Sequence, residues 1–213
     1  MVEEKSIKIP VDGMKLDGIL AIPKDASGLV IFAHGSGSSR LSPRNRFVAG
    51  ILHKKGIGTL LFDLLTVKED EIYENRFDIP LLTVRLKAAT LWVKAQHETT
   101  GLKLGYFGAS TGTAVALESA AEFGNEIKAI VSRGGRPDLA EDALGKVVAP
   151  ALLIVGGRDD VVISFNKKAF DVIRTEKRLE IVPGATHLFE EPGALEEVAR
   201  LAAEWFRTHF WQS

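Results

Sequence analysis

Three residue types in this chain stand where acyl-transfer chemistry needs them: a serine between glycines, a pair of aspartates and a histidine. Ser110 lies in Gly108-Ala109-Ser110-Thr111-Gly112, behind the apolar run 104–107 and ahead of 114–121, which has helix composition. Strand, sharp turn and helix are the setting of a nucleophile elbow, where a strained turn lifts a hydroxyl above a sheet. Glycines at 108 and 112 leave room for the neighbouring strand and helix, and the amide-rich start of the helix favours developing negative charge. A serine hydroxyl is a weak nucleophile until a base takes its proton, and that base needs a carboxylate to fix its tautomer. Asp159 and Asp160 follow one apolar run and His187 follows a later one. Both aspartates also fit plain turn positions.

The elements that must position these groups follow from hydrophobic periodicity. Residues 6–10 and 15–23 read as short antiparallel strands around an Asp12-Gly13 turn. Residues 28–33, 58–65, 104–107, 127–131, 151–155 and 178–182 read as strands, the apolar runs among them as strands buried on both faces. Helices are expected after Arg46, with Phe47, Ile51 and Leu52 facing inward, and over 81–96, 114–121, 138–147 and 166–174. The last helix carries a stripe of Leu195, Val198, Leu201, Ala202, Trp205 and Phe206. Segment 66–80 is charged and irregular and is placed at the sheet rim, where Phe77 and Ile79 would give an apolar wall. Alternating strands and helices predict an α/β fold, a mostly parallel sheet with helices on both faces. In such a sheet function gathers at the carboxyl ends of the strands, where Ser110, the aspartates, His187 and the glycine loop His34-Gly35-Ser36-Gly37 all fall.

The chain order serine, acid, histidine is that of α/β-hydrolases. From about Lys15 onward the sequence resembles that superfamily, and within it the dienelactone-hydrolase-like group. The stretch from His34 to Arg46, His-Gly-Ser-Gly-Ser-Ser-Arg-x-Ser-Pro-Arg-Asn-Arg, is similar to a signature of a bacterial subgroup. Some members of that subgroup are fused to a phosphoribosyltransferase domain, and none is expected within these 213 residues. The resemblance implies His187 as general base, and Asp159, in Gly156-x-x-Asp159-x-x-Val162, as the acid rather than Asp160. Dienelactone hydrolase proper uses a cysteine nucleophile. This chain has no cysteine, so the resemblance implies a serine hydrolase and does not license dienelactone as substrate.

The expected oxyanion hole is made of backbone amides, that of Thr111 and, from the glycine loop, that of Ser36. The glycine loop lacks the lysine of a Walker phosphate cradle. His34 and Gly35 shape that loop and are candidate substrate contacts. His53, His97 and His209 read as surface residues. Arg40, Arg44, Arg46, Arg133 and Arg136 follow strand ends. They read first as surface or structural ion pairs, with Arg40 and Arg133, beside Phe77, kept as substrate-binding candidates for a carboxylate or phosphate. The segment after Gly135 is too short for a large helical cap, which predicts an open cleft and small substrates.

Composition narrows the rest. The 213 residues suit a single domain, 1–213. A net charge of -1 gives no reason to expect nucleic acid or an anionic membrane as partner. The N-terminus has no secretory pattern and no run approaches a membrane span, so a cytoplasmic protein is expected. Neither metal nor cofactor is called for. The expected activity is cleavage of a small ester, lactone or thioester through an acyl-enzyme. A peptide or amide hydrolase and a non-catalytic hydrolase-fold binding protein are the alternatives. Oligomeric state is not legible.

Overall fold

A computed structural model describes residues 2–211. Eight strands form one sheet: β1 (Glu4–Val11), β2 (Met14–Ala21), β3 (Gly28–Ala33), β4 (Ile57–Phe62), β5 (Lys103–Ala109), β6 (Ile127–Arg133), β7 (Ala151–Gly156) and β8 (Lys177–Val182). Their spatial order is β1-β2-β4-β3-β5-β6-β7-β8. Strands β1 and β2 form an antiparallel hairpin and β2 pairs antiparallel with β4, while every later pairing is parallel. The hairpin turns at Asp12 and Gly13, both with positive φ (46° and 78°), the backbone that a two-residue turn between twisted strands requires.

Helices α1 (Pro43–Lys54), α2 (Val67–Asp70), α3 (Ile79–Ala95), α4 (Gly112–Phe123), α5 (Glu141–Leu144), α6 (Asp160–Val172) and α7 (Ala194–Trp211) connect and cover the strands. Strands β3 to β7 are buried along nearly their whole length, as central parallel strands must be. Their side chains divide by alternation into two cores. On one face Leu29, Ile31, Tyr106 and Ile130 pack with Leu82, Leu86, Ala89 and Val93 of α3 and with α4. On the other, Val30, Phe32, Phe107 and Val131 pack against Val48 and Leu52 of α1 and Val198, Ala202 and Phe206 of α7.

Several sequence expectations shift. The inner face of α1 is Asn45, Val48, Ala49 and Leu52, while Phe47 is 37% exposed. Pro43 and the Ser42 cap start the helix, and the buried stripe includes the polar Asn45, which the apolar pattern passes over. Helix α6 begins at Asp160, six residues before the expected start. Segment 66–80 is helical in two short pieces, α2 under a Thr66/Glu69 capping box and a 3-10 turn at Tyr73–Phe77. Ile79 is a core residue at the start of α3 and not part of an apolar wall. Between β6 and β7 lie only a 3-10 turn, Pro137–Ala140, and the single turn of α5. Among the described residues no helix is long and apolar enough to cross a membrane.

Candidate active site

Ser110 sits in the two-residue gap between β5 and α4 with φ 51°, left-handed backbone that a serine adopts only under constraint. Hydrogen bonds from the Ser110 amide to the Arg133 carbonyl (3.1 Å) and from the Arg136 amide to the Ser110 carbonyl (3.0 Å) hold it there. The flanking glycines are obligatory. A Cβ on Gly108 would lie 2.6 Å from the Thr113 Cα, and one on Gly112 would lie 2.1 Å from the Ala33 carbonyl oxygen. The elbow is thus wedged between β3 and the first turn of α4.

The other two members of the expected triad converge on this serine from different strand ends. His187 follows β8, and its Nε2 is 3.3 Å from Ser110 Oγ. Its Nδ1 is 2.6 Å from Asp159 Oδ2, in the residue that caps α6 after β7. An ionised carboxylate only accepts, so the proton on the ring sits on Nδ1, and Nε2 faces the serine as an acceptor. The Asp159 side chain is 14% exposed. Asp160 is exposed in the first turn of α6 and makes no bond to His187.

Sequence reasoning missed what holds the His187 loop. Glu191 accepts hydrogen bonds from the Thr186 amide (3.1 Å) and hydroxyl (2.7 Å). Phe189 is buried at φ 56° and anchors the same loop in the core. Gly134, also at positive φ, lies under the His187 ring, which a Cβ there would meet at 3.4 Å. The interval from Thr186 to Glu191 carries no periodic signal that would have marked this brace.

The two expected oxyanion donors differ. Among the described residues the Thr111 amide has no acceptor, as the start of a helix allows. The Ser36 amide is not free: it donates to the Thr111 hydroxyl at 2.9 Å. Gly35 abuts the elbow, with its Cβ position 3.1 Å from Ser110 Cβ. His34 is buried and builds the loop: its Nδ1 donates to the Gly35 carbonyl (2.9 Å), so its Nε2 accepts from the Leu64 amide (3.0 Å). Burial holds this imidazole below its ordinary pKa, against the pull of the Gly35 carbonyl.

Two further expectations about histidines need correction. His209 is not a surface residue but is buried against Trp205, with ring centroids 4.5 Å apart, because the last turn of α7 docks on the sheet. His53 is half-buried and hydrogen-bonds the Thr59 hydroxyl. His97 is exposed.

The arginines separate cleanly. Arg40 is not available to a substrate in this arrangement, because its guanidinium pairs with Asp63 and lies 4.0 Å from Asp17. Arg46 pairs with Glu4, Arg136 with Asp138, and Arg44 with Glu190 at 3.0 Å. Arg133, the last residue of β6, is 7% exposed and, among the described residues, has no carboxylate partner. Phe77 is 44% exposed and packs on Tyr73 in the rim segment, and Arg76 of that segment approaches Gly37 of the glycine loop. Among the described residues no group of three or more His, Cys, Asp or Glu is arranged to hold a metal ion.

The model of the dienelactone hydrolase family matches residues 49–211. The chain belongs to the dienelactone hydrolase family. A dienelactone hydrolase from Anabaena variabilis, known from a crystal structure, is 55% identical, with 98% of each chain covered and a TM-score of 0.95. Est1E from Butyrivibrio proteoclasticus, at 18% identity and a TM-score of 0.81 over 97% of this chain and 99% of its own, shares the fold. A Mycobacterium tuberculosis protein provisionally named a phosphoribosyl transferase is 53% identical over 208 residues, which are 98% of this chain and 47% of that protein. This member of the dienelactone hydrolase family thus spans about half the length of that curated relative.

Proposed function

We propose that this dienelactone hydrolase family member is a serine hydrolase that cleaves a small carboxylic ester, lactone or thioester. The observation that carries the reading is Ser110 at φ 51° with its hydroxyl on His187, itself bonded to Asp159. His187 Nε2 takes the hydroxyl proton as Ser110 Oγ attacks the carbonyl carbon, and Asp159 stabilises the imidazolium that forms. The Thr111 amide meets the oxyanion, joined by the Ser36 amide once it leaves the Thr111 hydroxyl. His187 then protonates the leaving group. Water, activated by the same ring, releases the acyl group from Ser110. The 3.3 Å serine–histidine distance is long for such a bond, as resting enzymes often show before substrate binds. The thin connection between β6 and β7 leaves the cleft open, which favours small soluble substrates. The proposal includes a cytoplasmic site of action, in keeping with a cysteine-free composition. The transferase name belongs to a protein about twice as long, and nothing in the triad calls for that chemistry.

The test is intact-mass analysis after exposure to a fluorophosphonate, with wild type beside Ser110→Ala. One adduct on wild type and none on the variant is the expected result, together with a loss of ester turnover of at least ~10³. Absence of an adduct on folded wild type overturns the reading.

A further inference from the structure

A backbone amide serves as an oxyanion donor only while its peptide plane is held in place, since a misplacement of about 1 Å can cost 10²-fold in rate. The Thr111 amide is held by the start of α4. The Ser36 amide sits instead in an irregular loop, residues 34–42, between β3 and the Ser42 cap of α1. Glycines at 35 and 37 give that loop freedom, and Gly37 uses it at φ 66°. Two bonds remove the freedom, and both involve adjacent residues just after β4. The Leu64 amide donates to His34 Nε2 at 3.0 Å, two positions before Ser36. Asp63 grips the loop four positions after Ser36. Its Oδ1 accepts from the Arg40 backbone amide at 2.7 Å, and its Oδ2 pairs with the Arg40 guanidinium. Asp63 is fixed in turn: its own amide donates to the Asp17 carbonyl of β2 at 2.9 Å, and its side chain is 18% exposed.

The bond to the amide separates Asp63 from an ordinary ion-pair partner. A surface ion pair ties two side chains and leaves the backbone alone, as Arg46 and Glu4 do. Asp63 spends one oxygen on a side chain and the other on a peptide plane of the loop that carries Ser36. We infer that Asp63 is a positioning residue of the oxyanion hole, acting through Arg40 on the Ser36 amide of the hydrolase proposed above. It touches no reacting atom. The bracket at His34 and Arg40 holds the loop still. The Thr111 hydroxyl, and not the loop, therefore swings away when the Ser36 amide turns to the oxyanion. Loss of Asp63 lets the loop relax, which slows the step that builds negative charge and spares the encounter with substrate. The inference rests on the hydrolase reading, through the oxyanion hole which that reading requires.

The test is the kinetics of phosphonylation by a fluorophosphonate. Ser110 Oγ bonds to phosphorus, fluoride leaves, and the hydroxyl proton passes to His187, so the reaction draws on the same hole. The limiting rate constant and the half-saturating concentration are measured for wild type, Asp63→Ala, Asp63→Asn, Arg40→Gln and Arg46→Gln, each at a temperature where its melting curve shows it folded. Asp63→Ala should lower the limiting rate by about 10–100-fold and leave the half-saturating concentration nearly unchanged. Asp63→Asn and Arg40→Gln both keep an oxygen for the Arg40 amide and lose only the ion pair. Each should lose about threefold, the scale of a partly exposed pair. Arg46→Gln breaks an ion pair outside the bracket and should change neither constant. If Asp63→Ala does not fold, the comparison of Asp63→Asn and Arg40→Gln with Arg46→Gln decides, and equal rates in all three overturn the inference. A wild-type limiting rate in Asp63→Ala overturns it too, as does a loss confined to the half-saturating concentration, or an asparagine variant no faster than the alanine one. An adduct on wild type with any of these results sinks the positioning role alone. No adduct on folded wild type sinks the hydrolase reading and the positioning role together.

Discussion

Ser110 carries its strain in a single dihedral angle. At φ 51° any side chain is disfavoured, and glycine alone is at ease. Two variants that both lack the hydroxyl should therefore differ in stability through the backbone alone. Ser110→Gly should be more stable than Ser110→Ala by about 1 kcal/mol, seen as about 2–4 °C in melting temperature. Equal melting points would mean that the elbow is not held in this conformation. The serine was legible in the sequence because its glycines are placed by sterics, and a steric need leaves a residue type behind. The carboxylate that pairs with His187 was only half legible. Two adjacent aspartates look alike on paper, and the backbone of the turn before α6 points Asp159 at His187 and leaves Asp160 in solvent. Arg133 and Arg40 were not separable at all, since what distinguishes them is Asp63, which lies 23 positions away from Arg40 in the chain.

At the level of elements, His34 ties the glycine loop after β3 to the segment after β4 through its bond from the Leu64 amide. That tie works only while Nε2 is unprotonated. Burial keeps the folded pKa below the ordinary 6.5, so on acidification the unfolded chain takes up the proton first. The stability contributed by neutral His34 is therefore complete above about pH 6.5 and is lost as pH falls toward the lower folded value. His53 and His209, also lowered by burial, act in the same direction. Melting temperature should fall from pH 7 to pH 5 in wild type, and His34→Gln should show a shallower fall; parallel curves would remove His34 from the account. The strands were readable because burial on both faces leaves continuous apolar runs. The start of α6 was not, because its first turn runs Asp160-Val161-Val162-Ile163, three β-branched residues in a row without helical spacing, of which only Val162 is buried. The face of α1 was misjudged for a related reason: the buried Asn45 is polar and hides the true phase of the helix.

Across the whole molecule, the aromatic packing of α7 and the candidate active site sit at opposite ends of the sheet. Helix α7 lays Phe206 and Phe210 over the amino-terminal halves of β3 and β5, where Gly28 and Gly105 leave room for the rings. Ser110, Asp159 and His187 lie at the carboxyl ends. Phe206→Ala should therefore cost about 3–5 kcal/mol of stability, measured by urea unfolding, while the folded fraction still reacts with a fluorophosphonate at Ser110. A variant that stays folded but fails to react would show that α7 reaches the site. The general architecture was legible from the alternation of strands and helices, and the division of labour between its ends was not, because it depends on which glycines face which rings.

The resting Ser36 amide already holds a hydroxyl oxygen, that of Thr111. Within the proposed mechanism, a neutral carbonyl arriving there swaps one uncharged acceptor for another and gains little. An alkoxide gains a charge-assisted bond roughly twice as strong. The donor is thus indifferent to the intact ester and responds only once the bond to Ser110 has begun to form. Such a gate leaves substrate affinity low and spends its binding on the tetrahedral species, so a boronic acid, which closes to a charged adduct on the serine, should be held far more tightly than the ester it imitates.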